Sequence, residues 1–164
     1  MKILKWILGL LMGLVVLVGI LIFGARFADG PIALLPGGPF TSGEMRPTPE
    51  DWAFAAAIPE IEFESGGRSR TAWIAVESGD AFIPASTAFP PGKSWHKDAL
   101  TEPAAVVRID GLRYPVTLAR VAPDSPRFAQ VLAKLGEKYP ALPGSGDGDP
   151  AAAVWLFELR EGSI

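Results

Sequence analysis

The chain contains no cysteine, which excludes disulfides, thiolate nucleophiles and cysteine metal sites. That absence suits any compartment and fixes no redox environment. Histidine is nearly missing as well, since His96 stands alone. One imidazole among scattered carboxylates is a weak basis for a metal centre, and a nucleophilic triad needs a Ser or Thr partner that spacing does not identify. Basic residues are too few for a nucleic-acid surface. Residues 27–164 carry twelve Lys and Arg against all eighteen Asp and Glu, a formal charge of −6. A surface of that sign argues against nucleic acid as a partner and against a polybasic lipid-binding patch. No internal repeat is visible. A length of 164 residues leaves room for one domain plus an accessory segment.

Charge is wholly absent between Ile7 and Gly24, where the sequence reads ILGLLMGLVVLVGILIFG. With Ile3, Leu4 and Trp6 the stretch approaches the roughly 20 residues that cross a bilayer's hydrocarbon core. Each central Leu, Ile, Val or Phe favours insertion by about 0.5 kcal/mol, which outweighs the glycines. Lys2 and Lys5 flank the amino end and can reach the headgroup layer. A cleaved signal has a shorter apolar core and a small-x-small site. Here Arg26 and Phe27 interrupt GARFADG, so the expectation is a permanent anchor in the bilayer of an inner or plasma membrane. The lysines ahead of the span favour an inside N-terminus and a C-terminal domain outside the cytoplasm. Gly9 and Gly13, four apart, would let two such helices approach closely.

Between Asp29 and Pro49 stand Pro31, Pro36, Pro39, Pro47 and Pro49 with Gly30, Gly37, Gly38 and Gly43. This density blocks helix and central strand, and predicts an extended tether. Ile32 to Leu35 is expected to pack on the domain or the membrane. The remainder reads mostly as strands. Ile58 to Glu64 alternates, with Ile61 and Phe63 on one face and Glu60, Glu62 and Glu64 on the other. Arg70 to Glu77 and Ala81 to Ala85 flank a glycine-containing turn, and Pro84 marks an edge or bulge. Ala104 to Ile109 and Leu112 to Val121 flank Asp110-Gly111, the strongest hairpin signal in the chain. Ala152 to Leu159 makes a sixth strand. Ser94 to Leu100 predicts a short helix. Ser125 to Lys138 predicts a longer one, with Ser125 as N-cap and Pro126 at the first helical position. The expected organisation is an anchor at 1–26, a Pro/Gly-rich tether at 27–57 and a β-rich domain at 58–164. Strands grouped in hairpins favour an antiparallel small barrel over a parallel sheet.

Two loops carry candidate chemistry. GGRSRT places Arg68 and Arg70 at a hairpin mouth. ASTAFPPGKSWHK follows a strand end with Ser86 and Thr87, then Lys93, then the start of a short helix bearing Trp95. Arginine forks, hydroxyls and a helix amino end are what an anionic group such as phosphate requires. On the residues alone, the plainer reading of Arg68, Arg70 and Lys93 is ordinary solvated loop charge. Asp147-Gly148-Asp149 hints at calcium but lacks the later bidentate Glu of an EF-hand loop.

Residues 58–139 resemble the split β-barrel superfamily that includes pyridoxamine-phosphate-oxidase-like flavin proteins and deazaflavin-dependent nitroreductase-like proteins. The matching pieces are GGRSRTAWIAVESGDAFIPAS, then KSWHKDALTEPAAVVRIDGLRYPVTLARV, then a helix ending in KY. Lys93, Trp95, Pro103, Val106 and Asp110-Gly111 fall at the places of the family's local patterns. The resemblance implies a mainly β, six-stranded antiparallel barrel with two helices, often paired as a homodimer with FMN or a deazaflavin at the interface. Carried over, it implies that Arg68 and Arg70 face the cofactor phosphate, and that Ser86, Thr87, Lys93 and Trp95 line the cofactor loop. The implied activity is that of a membrane-tethered oxidoreductase. Asp98-Ala99-Leu100 stands where an Asn-Leu pair is usual, and Pro90-Pro91-Gly92 makes an unusual approach to Lys93. These departures keep a cofactor-free binding or scaffold module as the alternative.

Overall fold

The computed structural model describes residues 2–140 and 150–162; Asp147-Gly148-Asp149 lies outside them. Helix α1 (Lys2–Ala25) takes up the uncharged stretch. Its apolar stretch, Ile3–Ala25, is long and apolar enough to cross a membrane, and it is exposed along its length up to Ala25, which is buried.

Beyond α1 the strands are β1 (Glu44–Met45), β2 (Glu60–Ser65), β3 (Arg68–Trp73), β4 (Ala75–Glu77), β5 (Asp80–Ser86), β6 (Ala104–Ile109), β7 (Leu112–Arg120) and β8 (Val154–Glu161). Seven of them follow one antiparallel path, β3-β2-β6-β7-β8-β5-β4, and β1 adds in parallel to β7. The turns sit where small and polar residues permit positive φ: Gly66-Gly67, Ser78-Gly79 and Asp110-Gly111. Ile109 pairs with Leu112 across Asp110-Gly111, as expected of a two-residue hairpin.

The path has one strand more than the six expected, and Ile74 is the reason. The run from Arg70 to Glu77 breaks there, so β3 pairs with β2 while β4 pairs with β5. The two ends of the sheet are therefore joined by one residue, and the sheet curls into a barrel with an open seam between β3 and β5. Ile74 finds its backbone partners elsewhere. Its N–H donates to the Tyr139 hydroxyl at 3.2 Å, and its carbonyl accepts from Lys138 Nζ at 2.9 Å. Both belong to the end of helix α3 (Pro126–Lys138) and its C-cap. On the other side of the seam Pro84 has no N–H to offer, in the stretch where pairing to β4 has ended.

Two packed layers follow from strand alternation. Phe63, Ile83, Val107 and Phe157 fill the barrel interior. Phe82, Val154 and Leu156 point the other way and meet Phe128, Val131 and Leu135 of α3. This explains why β5 and β8 are buried on both faces. Ser125 caps α3 as expected, accepting from the Phe128 N–H. Strand β8 begins at Val154 rather than at 152, because Pro150–Ala153 forms a short helix, α4.

The segment before the barrel turns at Ile32–Leu35, adds β1 to the sheet and makes a 3-10 turn at Ala53–Ala55, and it is fastened to the barrel along its length. Gly37 N–H donates to Ser69 O, and Ser69 N–H to Gly38 O, so this stretch covers part of the free edge of β3. The approach is close: a Cβ at Gly37 would lie 1.8 Å from Gly30 O and 2.7 Å from Ser69 Oγ. Further on, Phe40 and Trp52 are buried, and Trp52 N–H donates to Gly79 O. The buried Arg108 binds Asp29 and Glu62 and lies 4.2 Å over the Phe40 ring.

Candidate functional site

The seam is also a cleft. Arg70, Thr71, Ala72 and Trp73 of β3 form one wall and Pro84, Ala85 and Ser86 of β5 the other, enclosing about 360 Å³. A small-molecule site of the smaller kind has this size. Lys93 and Trp95 come from the loop after β5 and the start of helix α2 (Trp95–Asp98). Ala33, Leu34, Pro36, Phe89 and Pro90 complete the rim.

Four of the six residues singled out from the sequence are thus brought together: Arg70, Ser86, Lys93 and Trp95. The other two are not. Arg68 is tied to the carbonyls of Gly37 and Pro36 and holds the chain that precedes the barrel. Thr87 donates its hydroxyl to the carbonyls of Ala152 and Ala153, joining its loop to α4. In both cases the partner is a backbone carbonyl distant in sequence, which composition cannot reveal. Thr71, a hydroxyl of the GGRSRT stretch, also lines the cleft, whereas sequence reasoning missed Glu60, Trp73 and the apolar rim. Phe89 sits inside the stretch ASTAFPPGKSWHK, and Leu34 inside the hydrophobic run of the tether.

The geometry around Arg70 is specific. Its Nη1 donates to Ser65 Oγ at 2.8 Å, and its guanidinium lies 5.2 Å from the Phe63 ring and 5.5 Å from Trp95. Burial first, and then the charge of Arg68, bring Arg70 down to about 10, while Asp98 and Glu64 act the other way. Lys93 donates to Phe89 O at 2.6 Å. Burial, then the Arg70 charge, bring Lys93 down to about 8. Among the described residues neither cation is in an ion pair. Trp95 has two roles: its ring packs edge-on against Phe63 at 5.0 Å and also lines the cleft.

His96 lies behind this wall, 2% exposed, with its ring 5.0 Å from Trp155 and its Nδ1 without a hydrogen-bond partner among the described residues. Burial, then the charge of Lys93, hold it below its ordinary value, so the imidazole stays neutral around pH 7. Among the described residues no group of three or more His, Asp or Glu could hold a metal ion.

Strand order, broken strand and seam define the class: a split β-barrel, the fold that the sequence resemblance implies. No protein-family model and no curated protein sequence matches the chain. Among solved structures it is similar to HutZ, the heme storage protein from Vibrio cholerae. That likeness has a TM-score of 0.49 and 16% identity, over 68% of this chain and 87% of the other. It is also similar to an F420 reductase, with a TM-score of 0.45 and 16% identity, over 71% of this chain and 97% of the other. Both scores lie below one half, so the fold rests on the topology above and neither likeness assigns a ligand.

Proposed function

We propose that this chain is a membrane-anchored split-barrel protein, with its barrel outside the cytoplasm, that binds an anionic ligand in the seam cleft. The observation that carries this reading is the pairing of Arg70 with Lys93. Two cations converge in a partly buried cleft, one depressing the other, and among the described residues neither is held in an ion pair. An anion between them relieves both the desolvation and the repulsion.

The resemblance makes FMN or a deazaflavin the first ligand class to test. Such a cofactor asks for donors around its phosphate and a flat wall for its ring. Arg70 and Lys93 supply charge, and Trp95 supplies an aromatic wall. The backbone amides nearby are otherwise committed, because Ala88 N–H and Phe89 N–H donate to Ser86 Oγ. The Thr71 hydroxyl is likewise committed, to Ala33 O. The residues fit one anionic head beside an apolar wall, and they lack a full phosphate cradle. When bound, a flavin or deazaflavin would supply the hydride chemistry of an oxidoreductase. The chain's own part would be to bind and orient it through Arg70, Lys93, Ser86 and Trp95. A homodimer that lays a second copy over the cleft belongs to this reading. The committed amides favour the second reading, a cofactor-free binding module.

Titrating the 164-residue chain in phosphatidylcholine nanodiscs with FMN and with a deazaflavin, followed by fluorescence, tests the proposal. Saturable binding in the micromolar range that Lys93→Ala weakens is the expected result. If neither cofactor saturates at high micromolar concentration, the oxidoreductase reading gives way to the cofactor-free module.

A further inference from the structure

We infer that the seam cleft draws its ligand from the bilayer, and that the ligand is an anionic single-chain amphiphile such as a long-chain carboxylate or monoalkyl phosphate. This rests on the reading of Arg70 and Lys93 as an anion site. What it adds comes from the rim, not from the cations.

Among the described residues the rim is apolar and uncovered. Leu34 is 87% exposed on one side and Phe89 is 61% exposed on the other. The exposure of Leu34 is not an accident of a loose loop. Leu34 sits at the tip of a tight turn in which Ile32 and Leu35 exchange both backbone hydrogen bonds. That turn is fastened to the cleft wall, since Ala33 O accepts from Thr71 Oγ1. A scaffold built to hold a large apolar side chain in solvent beside a cationic cleft calls for an apolar occupant.

The same segment leads directly from the membrane. Helix α1 ends at Ala25, and Phe27 and Ile32, both more than half exposed, lie between it and Leu34. The span and the rim are therefore nine residues apart in the chain, with exposed apolar side chains between them. The direction of the ligand follows from burial. Arg70 lies against the fully buried Phe63 ring, whereas Leu34 is in the open. The charged head is thus inward and the chain outward, toward the bilayer. About 360 Å³ is at the small end for ligand sites and suits one chain rather than two. The domain's formal charge of −6 makes a general attraction to anionic lipid surfaces a poor alternative.

The test is calorimetric titration of the full chain in phosphatidylcholine nanodiscs, with protein-free nanodiscs as the blank, using butyl, octyl and dodecyl phosphate. Affinity should rise at least about tenfold from butyl to octyl as methylenes leave water. Lys93→Ala should weaken all three, and Leu34→Asp should flatten the dependence on chain length. Binding of butyl phosphate with no gain from longer chains would overturn the amphiphile inference and leave the anion site standing. Long-chain binding that ignores Lys93→Ala would show partition alongside α1 and would also overturn it. No binding of any of the three would remove the anion site itself.

Discussion

Arg108 and Asp29 stand 79 positions apart in the chain and 2.9 Å apart in space. The arginine belongs to a central strand of the barrel, and the aspartate lies four residues past the apolar helix. Arg108 Nη2 also donates to the Asp29 carbonyl. A buried guanidinium with partners from both segments ties the chain that follows α1 to the barrel wall, and losing Asp29 would leave Glu62 as its one carboxylate partner among the described residues.

The first prediction concerns acid. The Ser42 hydroxyl, then the Thr41 N–H, hold Asp29 well below its ordinary 3.8, with Arg108 adding to the effect. A carboxylate depressed in the folded state contributes stability that is complete above its unfolded value and is lost as pH falls through the folded one. The melting-temperature gap between wild type and Asp29→Asn should therefore be widest above about pH 5 and shrink toward about pH 2. A gap that does not change with pH would remove the Asp29 charge from the account.

The seam gives the second. Tyr139→Phe keeps the stack on Trp73, at 4.6 Å between centroids, but removes the hydroxyl that pairs Ile74 and Pro59. Chemical denaturation should show a loss of about 1–3 kcal/mol. Hydrogen exchange at the Ile74 amide should quicken. Unchanged exchange would show that the break between β3 and β4 is held by something other than the end of α3.

At the β6–β7 turn, Gly111 has φ +77 and open space around its missing Cβ. Any cost of a side chain there is conformational. Gly111→Val should destabilise by about 1 kcal/mol or more, and Gly111→Asn by less, since Asn visits positive φ readily. Equal losses for the two variants would mean that contacts, not backbone conformation, decide the site.

Lys93 gives the fourth. With its ammonium near 8, anion affinity should fall as pH rises through about 8, because the neutral amine no longer attracts the ligand. Arg70 shares the cleft and stays charged through this range, and His96 behind Trp95 stays neutral. Lys93→Arg should bind with little pH dependence between about 7.5 and 9, since guanidinium does not titrate there. At pH 7, Lys93→Ala should lose about 1.5–3 kcal/mol of FMN or alkyl phosphate affinity, measured by titration. The same pH slope in the arginine variant would place the titrating group elsewhere.

What could be read from the sequence was local. The Asp110-Gly111 hairpin, the Ser125 N-cap and the alternation of Ile61 and Phe63 each depend on neighbours within a few residues, and all appear in the structure. The break at Ile74 could not be read, because RTAWIAVE is favourable strand sequence throughout. Only Lys138 and Tyr139, more than sixty positions on, divert its backbone. Arg70 and Lys93 were legible as charges near turns, and their convergence depends on the seam. Arg68 looked equivalent to Arg70 by type and spacing, yet it lies two positions nearer the turn and reaches the Gly37 carbonyl instead.

The fastening of residues 28–41 changes how the barrel can sit relative to α1. A free linker of this length would let its cargo wander through a hemisphere whose radius grows with the root of its length. Here Ala28 already accepts from Gly38 N–H, three residues beyond the end of α1, and Asp29 is locked to Arg108. With α1 in a bilayer there is no slack to take up. The spacing between α1 and the barrel is then set by these contacts and not by the length of a linker.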